Sequence, residues 1–226
     1  MFLKWQIVLG IFLIAACGSP SNEANQESNK PPQDTAPSLL KEDTKNILFF
    51  GNSLTAGYGL ENQELAFPGI IQHWIDSLEL PYRVINGGLS GETSAAGRER
   101  IDWLLQEKID VFVLELGAND GLRGIPTEET SKNLQEIIDK VKAQYPDCKM
   151  VLTGMMVPPS MGGAYGKAFT AIFPALAKNN NMAFVPFLLA DIAGETDLNQ
   201  QDGIHPTEEG HQIMAEHVWE VLEPLL

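Results

Sequence analysis

Four side chains in this chain have the types and the order that acyl transfer to water requires. Ser53 lies in Gly51-Asn52-Ser53-Leu54-Thr55-Ala56-Gly57-Tyr58-Gly59, Asn119 in Gly117-Ala118-Asn119-Asp120-Gly121, and Asp202 and His205 in Asp202-Gly203-Ile204-His205-Pro206. A serine hydroxyl is a weak nucleophile at neutral pH and needs an adjacent base. His205 can be that base, but only with a partner that fixes its tautomer and stabilises its charged form. Asp202 is close enough in the same loop for its carboxylate to meet Nδ1, which leaves Nε2 for Ser53. The Asn119 amide can donate to an oxyanion, and the turn at Gly91 can offer a backbone N–H. Each piece alone is common. Gly-Asn-Ser caps many turns, Asn-Asp is frequent in loops, and Asp-Gly-x-His often opens a helix. Specificity comes from the set, in this order.

The elements that must position these groups are legible as alternating patterns. Ile47-Leu48-Phe49-Phe50 runs straight into Gly51, and an unbroken apolar run of this kind reads as a fully buried strand of a parallel sheet. Ser53 then falls at the carboxyl end of that strand, the edge where open α/β sheets bind ligands. Phe67–Leu80 reads as a helix with Pro68 in its first turn and Ile71, Trp74, Ile75 and Leu78 on one face. Tyr82–Asn86 is a second strand, followed by a tight turn over Gly87-Gly88-Leu89-Ser90-Gly91-Glu92-Thr93. A helix through Ile101, Leu104 and Leu105 runs to Lys108. Asp110–Leu116 is a third strand, and Thr127 is the expected N-cap of the helix carrying Leu134, Ile137, Ile138 and Val141. Lys149–Gly154 is the fourth strand, and a Met/Pro/Gly loop over 155–163 leads to a helix ending near Lys178. Ala183–Phe187 is the fifth strand, placed at a sheet edge by Pro186. The last helix starts near Thr207, with His217 on its core-facing side rather than in a site. Five strands alternating with helices through short connections imply an α/β fold, a three-layer α/β/α sandwich around a parallel sheet. Ser53, Asn119 and His205 all follow strands.

Composition bounds the function. The formal net charge of −15 makes nucleic acid and anionic lipid head groups poor partners. The four histidines, His73, His205, His211 and His217, lack a ligand set with cysteines or carboxylates, so neither a metal nor another cofactor is expected. His73 falls on the polar side of its helix. The N-terminus reads as a targeting segment: Lys4, an apolar core from Ile7 to Ala16 that is short for a membrane span, then Cys17. Ile14-Ala15-Ala16-Cys17 resembles the bacterial lipobox, in which the Cys is lipidated and becomes the first residue. That resemblance divides the chain into a signal peptide, 1–16; a lipidated Cys17 with a disordered tether, 17–45; and a catalytic domain, 46–226. The tether is rich in Ser, Asn, Gln, Glu and Pro, and a flexible linker of its length spans about 30 Å. Gly18, where an Asp would retain the protein at the inner membrane, favours the outer membrane in a two-membrane cell. With Cys17 lipidated, Cys148 stands alone as a structural thiol and no internal disulfide can form.

The catalytic stretches together resemble the SGNH (GDSL) hydrolases over about residues 46–225, and most of all the bacterial thioesterase I/lysophospholipase/arylesterase group. The matching segments are Gly51–Gly59, Ser90-Gly91-Glu92-Thr93-Ser94, Glu115–Gly124 and Asp202–Pro206. The resemblance implies a five-stranded, flavodoxin-like sheet, with Ser53 as nucleophile, His205 as base and Asp202 as its orienter. It implies an oxyanion hole from the Ser53 and Gly91 backbone amides and the Asn119 side chain. It likens Gly121–Pro126 to a substrate-responsive loop, which makes Gly121, Leu122 and Arg123 candidate substrate contacts; Met156 and Pro158 join them from the loop that follows the fourth strand. Asn52 is a departure, since the family usually has Asp there. Asn is nearly isosteric but neutral, and its amide donates as well as accepts.

The triad fixes the reaction class better than the substrate. An envelope lipoprotein would not meet cytoplasmic acyl-CoA, so lysophospholipids, aryl esters or other acyl esters are the expected substrates, hydrolysed by a monomer. Two alternatives stay open: an O-acetyl esterase acting on cell-envelope carbohydrate, and a catalytically silent acyl-binding lipoprotein.

Overall fold

The computed structural model describes residues 44–226. The expected signal peptide, Cys17 and the tether up to residue 43 lie outside the described residues. Five strands form one parallel sheet: β1 (Lys45–Gly51), β2 (Tyr82–Gly88), β3 (Val111–Glu115), β4 (Lys149–Thr153) and β5 (Ala183–Val185), in the order β2-β1-β3-β4-β5. The helices are α1 (Ser53–Ala56), α2 (Phe67–Ser77), α3 (Ser94–Leu104), α4 (Ala118–Leu122), α5 (Thr127–Gln144), α6 (Gly163–Asn180) and α7 (Glu208–Leu222). The chain steps one way from β1 to β2 and the other way thereafter. Right-handed crossovers therefore send the helices to opposite faces. α2 packs with α7 on one face, and α3, α5 and α6 pack in a row on the other. Both faces of the sheet are covered, which is why Ile47–Phe50 and Val111–Leu114 are buried without interruption.

Several boundaries differ from the sequence reading, each for a local reason. Gly87 and Gly88 belong to β2, opposite Phe50 and Gly51, rather than to the turn. A Cβ on Gly88 would come within 2.2 Å of the Ala56 backbone nitrogen, so the glycine lets α1 lie directly on the strand. α2 stops at Ser77 because Glu79 takes a left-handed φ of 54°, and Leu78 is left exposed instead of joining the apolar face. Trp74 does pack inward, edge-on to Trp219 of α7. α3 ends at Leu104, not Lys108: the chain must turn to bring Leu105 and Ile109 into the core, and the Tyr145 hydroxyl donates to the freed carbonyls of Leu105 and Glu107. Pro126, not Thr127, occupies the cap position of α5, its carbonyl accepting from the Glu129 and Thr130 amides. β5 stops before Pro186 and pairs with β4 alone, so the edge placement holds. Cys148 is half-buried and burial pushes its thiol up to about 12, which leaves it unreactive. His73 is exposed, and His217 is half-buried with Nδ1 3.4 Å from the Leu188 carbonyl.

Candidate active site

Ser53, Asn119, Asp202 and His205 all stand beyond the carboxyl ends of strands. β1 ends at Gly51, where a Cβ would lie 2.0 Å from Thr55 Oγ1 and 2.5 Å from Glu115 Oε2. The bare backbone lets the chain turn at once into α1. Asn52 caps that helix, its Oδ1 accepting from the Leu54 amide at 3.0 Å, and Ser53 is the first helical residue. The turn ends at Gly57 with a left-handed φ of 73°.

His205 comes from a different part of the chain. After β5 the backbone makes a long excursion before α7, closed by an antiparallel bridge between Asn199 and Pro206. The Asp202–His205 turn is the tip of that excursion. Asp202 Oδ1 accepts from the Ile204 and His205 amides at 2.9 and 3.0 Å, and Oδ2 lies 2.6 Å from His205 Nδ1. The hydrogen bond from the His205 ring, with help from the two amides, holds the Asp202 carboxyl down at about 2. It is therefore ionised at neutral pH. Its acceptor makes Nδ1 the protonated nitrogen of a neutral imidazole and leaves the Nε2 lone pair for Ser53 Oγ, 2.9 Å away.

Two contacts fix the His205 turn against α1. The Tyr58 ring lies 4.5 Å from the His205 ring, centre to centre. Gln200 Nε2 donates both to the Tyr58 carbonyl at 2.7 Å and to the Pro206 carbonyl at 2.9 Å, while the Gln200 amide donates to the His205 carbonyl at 2.7 Å. One side chain thus ties the Ser53 loop to the His205 loop. Nothing in the sequence marked Gln200, since a polar residue in a polar loop carries no periodic or motif signal.

The oxyanion candidates are held separately. Asn119 sits on α4, and its Nδ2 donates to the Glu92 carbonyl at 3.0 Å, using one of its two hydrogens. The neighbouring Asp120 is fully buried and accepts from the Ser94 amide at 2.8 Å and from the Ser94 hydroxyl. Gly91 has a left-handed φ of 81°, with open space where a side chain would be. The turn is anchored from below: Glu92 is buried and bridged by Arg100 through two 2.6 Å contacts, and Arg100 also donates to the Gly87 carbonyl and lies 4.5 Å over the Phe50 ring. It is anchored from the side by Arg123, whose guanidinium donates to the Gly91 carbonyl at 3.1 Å. In this structure Arg123 thus holds the Gly91 turn. Gly121 is buried where a Cβ would lie 2.3 Å from Val157 Cγ1, whereas Leu122, Met156 and Pro158 are exposed.

Beneath Ser53 lies a group the sequence reading passed over. Glu115, the last residue of β3, is fully buried. Its Oε1 accepts from Asn52 Nδ2 at 2.7 Å, and its Oε2 accepts from the Asn52 amide at 3.0 Å and from Thr55 Oγ1 at 2.8 Å. Burial raises its carboxyl from the ordinary 4.5 to about 7, against the pull of these donors. A charged residue ending an otherwise apolar strand was the available signal.

Comparison with known proteins agrees with the fold. The chain matches the GDSL-like lipase/acylhydrolase family over residues 49–213. Esterase TesA of Pseudomonas aeruginosa is 36% identical over 183 residues, covering 80% of this chain and 90% of that protein. Thioesterase 1/protease 1/lysophospholipase L1 of Escherichia coli K12 is 34% identical over 181 residues, covering 80% and 84%. A crystal structure of TesA superposes with a TM-score of 0.77 at 36% identity, covering 80% of this chain and all of that one. From Phe49 in β1 to Ile213 in α7, then, this chain belongs to the GDSL-like lipase/acylhydrolase family, the SGNH hydrolases, and is a carboxylic ester hydrolase.

Proposed function

We propose that the chain is a serine esterase that hydrolyses acyl esters such as lysophospholipids, aryl esters or thioesters through Ser53, His205 and Asp202. The observation that carries this reading is the continuous chain of contacts from Ser53 Oγ to His205 Nε2 at 2.9 Å and from His205 Nδ1 to Asp202 Oδ2 at 2.6 Å. Ser53 Oγ attacks the ester carbonyl carbon as His205 Nε2 takes its proton, and Asp202 stabilises the imidazolium. The carbonyl electron pair moves onto oxygen, which accepts from the Ser53 and Gly91 amides and the second Asn119 hydrogen. The tetrahedral adduct collapses, His205 gives its proton to the leaving alcohol, and an acyl-Ser53 ester remains. Water repeats the sequence with His205 as base, releasing the acid and restoring Ser53.

The rim supports an acyl chain over acetate. Of the large apolar residues exposed among the described residues, Tyr58, Leu89, Met156 and Ile204 lie on loops at the carboxyl edge, and Leu122 lies at the end of the short α4 beside them. Five such side chains around a polar triad suit an apolar substituent. Met156 adds an adaptable one. A series of p-nitrophenyl esters of increasing chain length tests the assignment. Medium or long chains should turn over best, and Ser53→Ala should lose several orders of magnitude in rate while folding normally. Turnover of acetate alone would point to a carbohydrate O-acetyl esterase, and no turnover to an acyl-binding protein.

The same reading places the enzyme as a monomer in a bacterial envelope, anchored through lipid on Cys17 and held off the membrane by the tether. Its support is the Ile14-Ala15-Ala16-Cys17 pattern. Cys17→Ala should abolish labelling with radioactive palmitate, and unchanged labelling would sink the lipoprotein assignment.

A further inference from the structure

We propose that Glu115 is a positioning residue for the nucleophile: by accepting from Asn52 Nδ2 it dictates which way round the Asn52 amide sits, and so presents an acceptor, not a donor, to the Ser53 hydroxyl. The inference rests on Ser53 being the nucleophile.

The geometry runs through three residues with no freedom between them. Glu115 lies opposite Gly51 in the β1–β3 register, and its carboxylate fills the space that a side chain on Gly51 would need. Both its oxygens face donors: Oε1 faces Asn52 Nδ2, and Oε2 faces the Asn52 amide and Thr55 Oγ1. No ion pair reaches it among the described residues. In its ionised form this carboxyl can only accept, so the Asn52 NH2 then points at Glu115 and its Oδ1 points the other way. There Oδ1 accepts from the Leu54 amide at 3.0 Å and lies 3.3 Å from Ser53 Oγ. Asn52 is completely buried, so no water can stand in for a lost partner.

Turned over, the amide would set its oxygen against the carboxylate and its NH2 against the Leu54 N–H. It would also put a donor on Ser53 Oγ. A donor there occupies the lone pair that must attack the carbonyl carbon. In the observed orientation Oγ lies between two acceptors, His205 Nε2 at 2.9 Å and Asn52 Oδ1 at 3.3 Å, and its one proton goes to the nearer. Asn at position 52 sets a neutral amide against the one buried carboxyl; an Asp in its place would set two carboxyl groups against each other.

The pairing can be reversed, and that is the test. Glu115→Gln alone puts an NH2 opposite the Asn52 NH2 and forces the amide to turn. Its kcat should fall between about tenfold and a hundredfold with KM within about twofold, because the loss is one of attack geometry rather than of substrate binding. The Asn52→Asp, Glu115→Gln double variant restores every donor to an acceptor. The introduced side-chain NH2 at position 115 donates to the introduced carboxylate at position 52, which still accepts from Leu54 and still turns an acceptor toward Ser53 Oγ. The remaining amide oxygen at position 115 accepts from the backbone N–H of residue 52 and from Thr55. The kcat of the double variant should return to within about threefold of wild type. A residue that merely stabilised the fold would give additive losses. The inference is overturned if the double variant is no faster than Glu115→Gln, if it fails to fold, or if Glu115→Gln alone keeps wild-type kcat. Labelling of the wild type with a fluorophosphonate, located by mass spectrometry, separates the two levels of the argument. A label away from Ser53 defeats the nucleophile assignment itself, whereas a label on Ser53 without rescue defeats this inference alone.

Discussion

Asn119→Ala separates catalysis from folding most sharply, because the proposed oxyanion role gives its two hydrogens two different jobs. One hydrogen goes to the Glu92 carbonyl at 3.0 Å and ties α4 to the Gly91 turn. The other is free for charge that exists only in the transition state. Losing an oxyanion donor costs on the order of 3 kcal/mol, a hundredfold or more in kcat, with little change in KM. Losing the Glu92 contact costs about 1 kcal/mol of stability, since Asn119 is only half-buried and water can reach the carbonyl. For a domain of this size that lowers Tm by about 2–4 °C. The Glu92–Arg100 pair and the Ser94–Asp120 contacts still hold the turn and α4, so the variant stays folded. Asn119→Asp should be at least as slow, because an ionised carboxylate cannot donate and would face both the Glu92 carbonyl and the oxyanion. Steady-state kinetics with a medium-chain p-nitrophenyl ester, run beside a thermal melt, reads both effects. A kcat that holds, or that falls only in proportion to the folded fraction, would refute the oxyanion role.

Two buried groups of opposite sign should make stability nearly flat between about pH 4.5 and 6.5. Glu115, raised from 4.5 to about 7, binds its proton better when folded, so its contribution is full below pH 4.5 and is lost as pH rises to 7. His211, lowered from 6.5 to about 4 by burial, stays neutral when folded, so its contribution is full above pH 6.5 and is lost as pH falls to 4. Each spans roughly 3 kcal/mol at 1.36 kcal/mol per pH unit. Urea denaturation at pH 4.5 and pH 7 should show stability rising with pH in Glu115→Gln and falling in His211→Gln; the same slope in both would contradict the assignment. Gln200→Ala removes the donation to the Tyr58 carbonyl that joins the Ser53 and His205 loops, and kcat should drop between about tenfold and a hundredfold with Tm lowered by only a few degrees. Wild-type kcat there would mean that the Tyr58–His205 contact suffices.

The sequence by itself determined the strands, the sheet class and the four candidate catalytic positions. Ile47–Phe50 and Val111–Leu114 are apolar without a break because a parallel sheet covered on both faces admits nothing else, and that constraint is local enough to read directly. Ser53 and Asn119 directly follow strands, and in a parallel sheet every strand ends on the same edge, so their placement at one edge needed no coordinates. Asp202 and His205 are three residues apart, within reach of each other in any tight turn. Tertiary structure alone decided the contacts between segments distant in the chain. Gln200 meets the Tyr58 carbonyl across 142 residues, and Glu115 meets Asn52 across 63. No periodicity encodes such pairings, because they depend on how the long excursion after β5 folds back and on the register of β1 against β3. The glycines show it too: Gly51 and Gly88 answer to atoms of Glu115 and Ala56 that only the folded chain brings within touching distance.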